Sequence, residues 1–195
     1  MPDQTSGLLS PYLRRRRLAA VRPYLGGGRV LDYGCGVGEL ARRVPPERYL
    51  GVDRDAESLA AARRRFPHHR FVVPEELDAA AVAEGFDLVV ALAFIEHLAD
   101  PGAWLAATSR RLAPGGRMVL TTPEPRLFGV HRIGAAAGLF SREGAAEHQT
   151  PIGRADLAVL AADARLCVLE ARRFLLGANQ LFVLGPEAAG DGARG

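Results

Sequence analysis

Apolar residues in this chain of 195 residues come in short blocks set apart by glycine, proline and charged residues. Continuous or alternating apolar blocks bounded by turn formers read as strands, and longer stretches with apolar positions three and four apart read as helices. RVLDYG (29–34), RYLGVD (48–53), RFVV (70–73), FDLVVALA (86–93) and RMVLTT (117–122) are predicted strands. FDLVVALA is apolar at nearly every position, the pattern of a strand covered on both faces inside a parallel sheet. Helices are predicted over 11–24, with Ser10 as N-cap and Pro11 in the first turn, and over 37–43, 56–66 and 101–112. Pro67 closes the third of these, and APGG (113–116) makes the turn before the fifth strand. A helix over 152–165 then precedes CVLEARRFLL (167–176) and NQLFVLG (179–185), two strands joined by Gly-Ala as a hairpin.

Strands alternating with helices give an α/β fold, a parallel sheet with helices on both faces, to which the closing hairpin adds one antiparallel strand. No repeat or long linker divides the sequence, so residues 1–195 are expected to form one domain. Within it, 1–25 is an N-terminal helix, 123–150 an irregular lid or substrate segment, and 186–195 a loose tail.

Composition narrows the class. Hydrophobic residues make up 48% of the chain, enough for a folded core. The longest unbroken apolar run, Leu88 to Ile95, is far short of the ~20 residues that span a bilayer. The N-terminus lacks the apolar stretch of a secretory signal, so a cytoplasmic protein without an integral membrane segment is expected. All 25 basic residues are arginine, which removes Schiff-base and P-loop lysine chemistry. The run Arg14–Arg17 reads as a solvated helix face, since no aromatics interleave with it to stack on bases. Cys35 and Cys167 suggest neither a disulfide framework nor a metal site, and Cys35 reads as a small residue fitting a glycine loop.

That loop is the first chemical signal. VLDYGCGVGEL (30–40) places Gly34, Gly36 and Gly38 two apart, directly after a predicted strand. Glycine costs roughly 0.5–1 kcal/mol relative to alanine in regular structure, so three together imply close approach of a ligand to the backbone. In open α/β sheets ligands bind beyond the carboxyl ends of the strands. The spacing is G-x-G-x-G, not the G-x-G-x-x-G that cradles a dinucleotide pyrophosphate. Asp53 ends the second strand, about 20 residues further on, where a carboxylate accepts from both hydroxyls of a ribose. A nucleoside-bearing ligand follows.

VLDYGCGVGEL, GVDRD, FDLVVALAFIEHLADP and RRLAPGGRMVLTTP, in this order and spacing, resemble the successive motifs of class I S-adenosylmethionine-dependent methyltransferases, in particular the small-molecule group with an EHL-x-DP segment. The resemblance covers about residues 25 to 185 and implies a Rossmann-like, doubly wound sheet of seven strands in the order 3-2-1-4-5-7-6. It implies S-adenosylmethionine as cofactor and S-adenosylhomocysteine as product. It implies that Asp32, Gly34, Gly36 and Gly38 meet the methionine portion, Asp53 the ribose, Arg54 the adenine flank, and Ala91 and Leu92 the amino group through their backbone; Tyr33, inside the loop, is a cofactor contact or a core residue. Glu75 falls where the family usually has an aspartate for the adenine amino group; proline precedes it in place of the usual glycine, and Glu76 is the alternative.

Methyl transfer from a sulfonium needs alignment and a dry site, and needs a base only where the acceptor carries a proton of high pKa. Histidine suits that task at neutral pH. His97 follows the fourth strand, where the methyl group would point, and His148 precedes the last predicted helix; both are candidate catalytic residues. His131 lies in the lid segment, Glu96 beside His97 is a loop acid or a group that orients a histidine or binds substrate, and Arg126, Arg132 and Arg142 are solvated arginines or anion receivers. No metal site is expected. Tyr12 is a candidate cover over the cofactor, and Trp104 reads as core. The expected acceptor is a small molecule methylated most plausibly at oxygen, and the expected assembly a monomer or homodimer. A nicotinamide-dependent oxidoreductase and a non-catalytic methyltransferase-like binding protein stay open. Nucleic acid is disfavoured as substrate because ALAFIEHL lacks the N/D-P-P-Y/F motif of enzymes that methylate amino groups of bases.

Overall fold

A computed structural model describes residues 10–80, 84–125 and 152–186. Its strands are β1 (Val30–Tyr33), β2 (Tyr49–Val52), β3 (Arg70–Val72), β4 (Phe86–Leu92), β5 (Leu112–Pro123), β6 (Leu166–Phe174) and β7 (Asn179–Pro186). They form one seven-stranded sheet in the order β3-β2-β1-β4-β5-β7-β6. The first five strands pair in parallel, and β7 is antiparallel to both β5 and β6. This is the α/β order that the sequence resemblance implies.

The period of two along each strand sorts apolar side chains into two layers. Leu31, Val89, Met118, Leu120, Phe182 and Leu184 face one side. Val30, Leu88, Val90, Val119, Leu181 and Val183 face the other. Helices α4 (Pro101–Ser109) and α5 (Arg154–Asp163) cover the first layer with Leu105, Leu157 and Ala161, beside the short α3 (Leu77–Ala80). Helices α1 (Ser10–Val21) and α2 (Ala56–Arg65) cover the second with Leu18, Val21, Leu59 and Ala62. Each such side chain sealed from water contributes about 1.5–3 kcal/mol, so both layers hold the helices against the sheet. Asp55 caps α2 by accepting from the Glu57 and Ser58 amides, and Asp100 caps α4 by accepting from Ala103 N–H at 2.8 Å.

Four local expectations are corrected. The helix predicted over 37–43 is a turn followed by a 3-10 segment at Leu40–Arg43; Gly38 has φ +77, outside the right-handed helical region. The helix predicted over 11–24 starts at Ser10 and gives way to a 3-10 turn at Arg22–Tyr24, because Pro23 has no N–H to donate and restrains the residue before it. Leu112 is not the end of α4 but the start of β5, paired with Phe86, and Ala113 to Gly116 are accommodated by a register shift before Arg117 pairs with Leu88. The hairpin closes through four residues, Leu175 to Ala178, with Leu175, Leu176 and Gly177 all at positive φ. Most of the lid segment and all but Pro186 of the tail lie outside the described residues.

Candidate functional site

The site grows from the carboxyl end of β1. Gly34 and Cys35 donate from their amides to Val52 O at 2.8 and 3.1 Å, which folds the glycine loop across the end of β2. Gly36 N–H donates to Asp53 Oδ2 at 2.7 Å, and Asp55 N–H donates to Asp53 Oδ1 at 3.0 Å. Asp53 therefore clasps the loop and still keeps lone pairs on both oxygens. At Gly34, φ is +68 and a Cβ would stand 2.7 Å from Phe94 Cδ2, so a side chain is excluded. At Gly36, φ is +52 and a Cβ would meet nothing within 4 Å, so the bare backbone faces open space.

That space is a cavity of about 300 Å³, in the range of small-molecule sites. Asp32, Gly34, Cys35 and Gly36 line it from β1 and the loop, and Leu92 and Ala93 from the end of β4. Arg14, Arg17 and Leu18 of α1 line it from the other side. Asp32 is buried and accepts from Tyr49 Oη at 2.7 Å. Burial raises its pKa to about 7, the Tyr49 bond pulls it back, and Asp53 pushes it further up. Burial likewise pushes the Cys35 thiol up, which leaves it a poor nucleophile. The cavity thus carries two acids, Asp32 of β1 and Glu39 beyond the loop, and two arginines of α1, with bare glycine backbone among them.

A protein-family model described as a methyltransferase domain matches residues 10–171. The chain belongs to that family of methyltransferase domains. It is 32% identical over 145 residues to a trans-aconitate 2-methyltransferase of Variovorax paradoxus, covering 72% of this chain and 54% of that one. It is 37% identical over 106 residues to a ubiquinone biosynthesis O-methyltransferase of Bradyrhizobium sp., covering 50% of this chain and 41% of the relative. The chain spans about half the length of these curated relatives. Among solved structures, magnesium protoporphyrin IX methyltransferase of Synechocystis, with bound SAH, superposes with a TM-score of 0.67 at 16% identity, covering 94% of this chain and 90% of that one. At that identity the likeness speaks for the fold.

In this methyltransferase domain the expected site residues separate into three groups. Asp32, Gly34, Gly36 and Leu92 line the cavity, and Asp53 closes its loop. Tyr33 does not line it: its neighbour on β1 faces the cavity, so its ring turns to the opposite layer and packs on Phe94 and Trp104, with centroids 5.7 and 5.2 Å away. Ala91 is fully buried between β1 and β5, and the next two residues, Leu92 and Ala93, reach the cavity instead. Gly38 packs under Phe66 and Phe71 and serves the turn. Arg54, Glu75 and Glu76 are exposed at the ends of β2 and β3, and the geometry does not choose between the two glutamates. His97 closes the 3-10 turn Ile95–His97 after β4 and is half-buried. His148, His131, Arg126, Arg132 and Arg142 lie outside the described residues.

Three residues of α1 stand elsewhere than the sequence pattern predicts. Arg14 and Arg17, expected on a solvated face, line the cavity, whereas Tyr12, expected as its cover, is exposed. Positions 14, 17 and 18 are spaced i, i+3, i+4 and share one helix face, which is the signal that separates them from Arg15 and Arg16. Arg17 also donates from Nε to Asn179 Oδ1 at 3.1 Å. Burial lowers its pKa, and the nearby Glu96 counters that shift.

Proposed function

We propose that this methyltransferase domain moves the methyl group of S-adenosylmethionine to an oxygen of a small-molecule acceptor. The observation that carries the reading is the cavity's charge layout beside a clasped glycine loop. A ligand with an amino-acid end and a ribose fits it: an ammonium beside Asp32, a carboxylate toward Arg14 and Arg17, and ribose hydroxyls on the remaining lone pairs of Asp53. Glu75 or Glu76 then serves the adenine amino group, with Arg54 at the ring's flank. The oxygen preference is supported by the relative whose name states O-methylation.

The bound sulfonium supplies an activated methyl group whose leaving group departs neutral. The chain's part is alignment and exclusion of water, which can lower a barrier by ~7–11 kcal/mol. Leu92 and Ala93 at the end of β4 bring the acceptor-side turn next to the cavity, with His97 in that turn. His97 and His148 are the proposed acceptor-side histidines, to orient the acceptor or to share its proton. No described helix is long and apolar enough to cross a membrane. A cytoplasmic monomer or homodimer acting on a small acceptor, without nucleic acid, remains part of the proposal.

Titration calorimetry tests the reading. S-adenosylhomocysteine binds and NAD does not, and labelled S-adenosylmethionine passes its methyl group to a hydroxylated acceptor. Binding of NAD without the homocysteine nucleoside points to the oxidoreductase alternative. Nucleoside binding with no transfer to any acceptor points to a binding protein.

A further inference from the structure

One wall of the cavity is held from outside it. Arg17 of α1 lines the cavity, and its Nε donates to Asn179 Oδ1 at 3.1 Å. Asn179 opens β7, 162 residues further along the chain, and is 0% exposed. Strand alternation puts Asn179 on the same face of β7 as Leu181 and Val183. Those two pack in one layer with Leu18 and Val21 of α1 and with Val30, the neighbour of Asp32 on its face of β1. Asn179 therefore faces the first helix, on the side of the sheet that carries Asp32 and the cavity.

Folding alone does not account for an asparagine there. Among the described residues, Asn179 Nδ2 is sealed from water without a hydrogen-bond partner. An unmet buried donor lowers stability, and an apolar residue of similar shape would avoid that loss. Turning the amide over gives no relief, because Nδ2 would then set a donor against the Nε donor of Arg17. The helix has other attachments: Leu18 and Val21 are buried, and Arg172 Nη2 donates to Ala20 O at 2.7 Å.

What the bond settles is the guanidinium. It occupies Nε and leaves both Nη groups of the planar fork for another partner. It also holds the cation against a rival, because Glu96, buried in the turn after β4, attracts Arg17. The cavity's own acids are engaged elsewhere: Asp32 accepts from Tyr49 Oη at 2.7 Å, and Glu39 pairs with Arg65 at 2.6 Å. A neutral amide oxygen fixes the cation without cancelling its charge, whereas a carboxylate in its place would weaken the pull on an arriving anion.

We infer that Asn179 is a positioning residue for the cofactor: it holds Arg17 so that the Nη edge of the guanidinium receives the carboxylate of the cofactor's amino-acid end. The inference rests on the methyl-transfer reading above, which sends that carboxylate toward Arg14 and Arg17, and it adds the residue that aims the fork. Two parallel N–H bonds to a carboxylate demand a fixed fork. An anchored arginine has less rotamer freedom left to lose when the ligand arrives, so part of the ordering is done in the free protein.

Titration calorimetry with S-adenosylhomocysteine and its decarboxylated analogue reads the effect as a ratio. The analogue keeps the nucleoside, thioether and amine and lacks the carboxylate. The parent prefers S-adenosylhomocysteine on the order of 10-fold to 100-fold. Asn179→Leu cuts that preference about 3-fold to 10-fold and leaves the analogue's affinity within about twofold. Arg17→Met removes most of the preference, and adding Asn179→Leu to Arg17→Met changes the ratio no further. Asn179→Asp keeps an oxygen for Nε but pairs the cation, and it lowers the preference too. A residue that only docks the helix would weaken both ligands alike or neither.

Asn179→Ala replaces Asn179→Leu if the latter fails to fold. The inference is overturned if the Asn179 variant keeps the parent ratio, if it weakens both ligands equally, or if it acts as strongly in Arg17→Met as in the parent. Failure of S-adenosylhomocysteine to bind the parent rejects the methyl-transfer reading itself, and equal binding of both ligands by the parent rejects its placement of the carboxylate. A parent that discriminates through Arg17 beside an Asn179 variant with an unchanged ratio rejects this inference alone.

Discussion

Replacing Asp53 by asparagine separates two tasks that the structure assigns to one carboxylate. Its oxygens accept from Gly36 N–H at 2.7 Å and Asp55 N–H at 3.0 Å. A carboxylate has about four acceptor positions, so two remain for ribose hydroxyls. Asparagine keeps one oxygen and turns an NH2 group toward the other amide. One loop hydrogen bond is then lost in both the free and the bound protein. Its loss appears in stability as about 1.5–3 kcal/mol, the range for a bond to a charged group. For a chain of this size that is a fall in melting temperature of roughly 3–12 °C. The ribose bonds exist only in the complex, so their loss appears in binding. Asparagine still offers its oxygen to one hydroxyl, so one such bond, at about 1.5–3 kcal/mol, is lost, a weakening of S-adenosylhomocysteine on the order of 10-fold to 100-fold.

Calorimetric titration of parent and Asp53→Asn with 5′-methylthioadenosine and with its 2′,3′-dideoxy analogue isolates the sugar contact as a double-mutant cycle. The parent should discriminate strongly between the two ligands and the variant weakly. If the variant melts lower yet binds S-adenosylhomocysteine as the parent does, Asp53 is a loop clasp only. The assignment of the ribose would then be wrong.

Other consequences follow from the same geometry. Gly38→Ala forces a left-handed alanine whose Cβ stands 3.0 Å from Phe71 Cζ and 3.1 Å from Phe66 Cδ2. Left-handed backbone alone costs about 1–2 kcal/mol, so scanning calorimetry should show a melting temperature lower by roughly 2–8 °C. Asp32, raised from 3.8 to about 7, binds its proton more tightly in the folded protein, so the stability it confers is fully present below pH 3.8 and is lost as pH rises through 7. Between pH 4 and 8 the parent should therefore lose on the order of 3 kcal/mol relative to Asp32→Asn in denaturant titrations, and a parallel pH response of the two proteins would contradict this. An ammonium beside Asp32 favours its ionised form, so stabilisation by S-adenosylmethionine should grow over the same window.

The cofactor half of the site was readable because its parts are close in sequence. Strand, glycine loop, second strand and carboxylate all fall between Val30 and Asp53, and each has a local reason for its residue type. The strands are readable for a similar reason, since apolar blocks such as FDLVVAL keep both faces buried wherever they sit, whereas their order in the sheet follows from the family resemblance alone. The errors came where a short-range rule met a longer-range demand. Val37 to Arg43 has helical composition, but Gly38 must turn under Phe66 and Phe71, and only a 3-10 turn fits before Pro45 and Pro46. Tyr33 is a candidate for the cofactor by its place in a motif, yet strand alternation gives it the face opposite Asp32. Arg14 and Arg17 were assigned to solvent by the company of Arg15 and Arg16, although helix periodicity separates them.

The rest of the site is illegible for a different physical reason. Arg17, Glu96 and Asn179 are spread over 162 residues, from the first helix to the last strand, and of these Glu96 alone stands in a motif, the EHL-x-DP segment. What brings them together is a relation that only the folded sheet creates: Arg17 of the first helix donates to Asn179 at the start of β7 and acts on Glu96 after β4. A cofactor loop recognises one ligand with local backbone, so its sequence is constrained residue by residue. An acceptor pocket needs only a set of polar atoms at the right distances, which many sequences can supply from different elements. The same sheet can therefore keep its glycine loop while its acceptor changes. In this chain the identity of the acceptor must then be sought beside the cavity, where Arg17 reaches Asn179 and the Ile95–His97 turn follows β4, and not in the glycine motif that reveals the family.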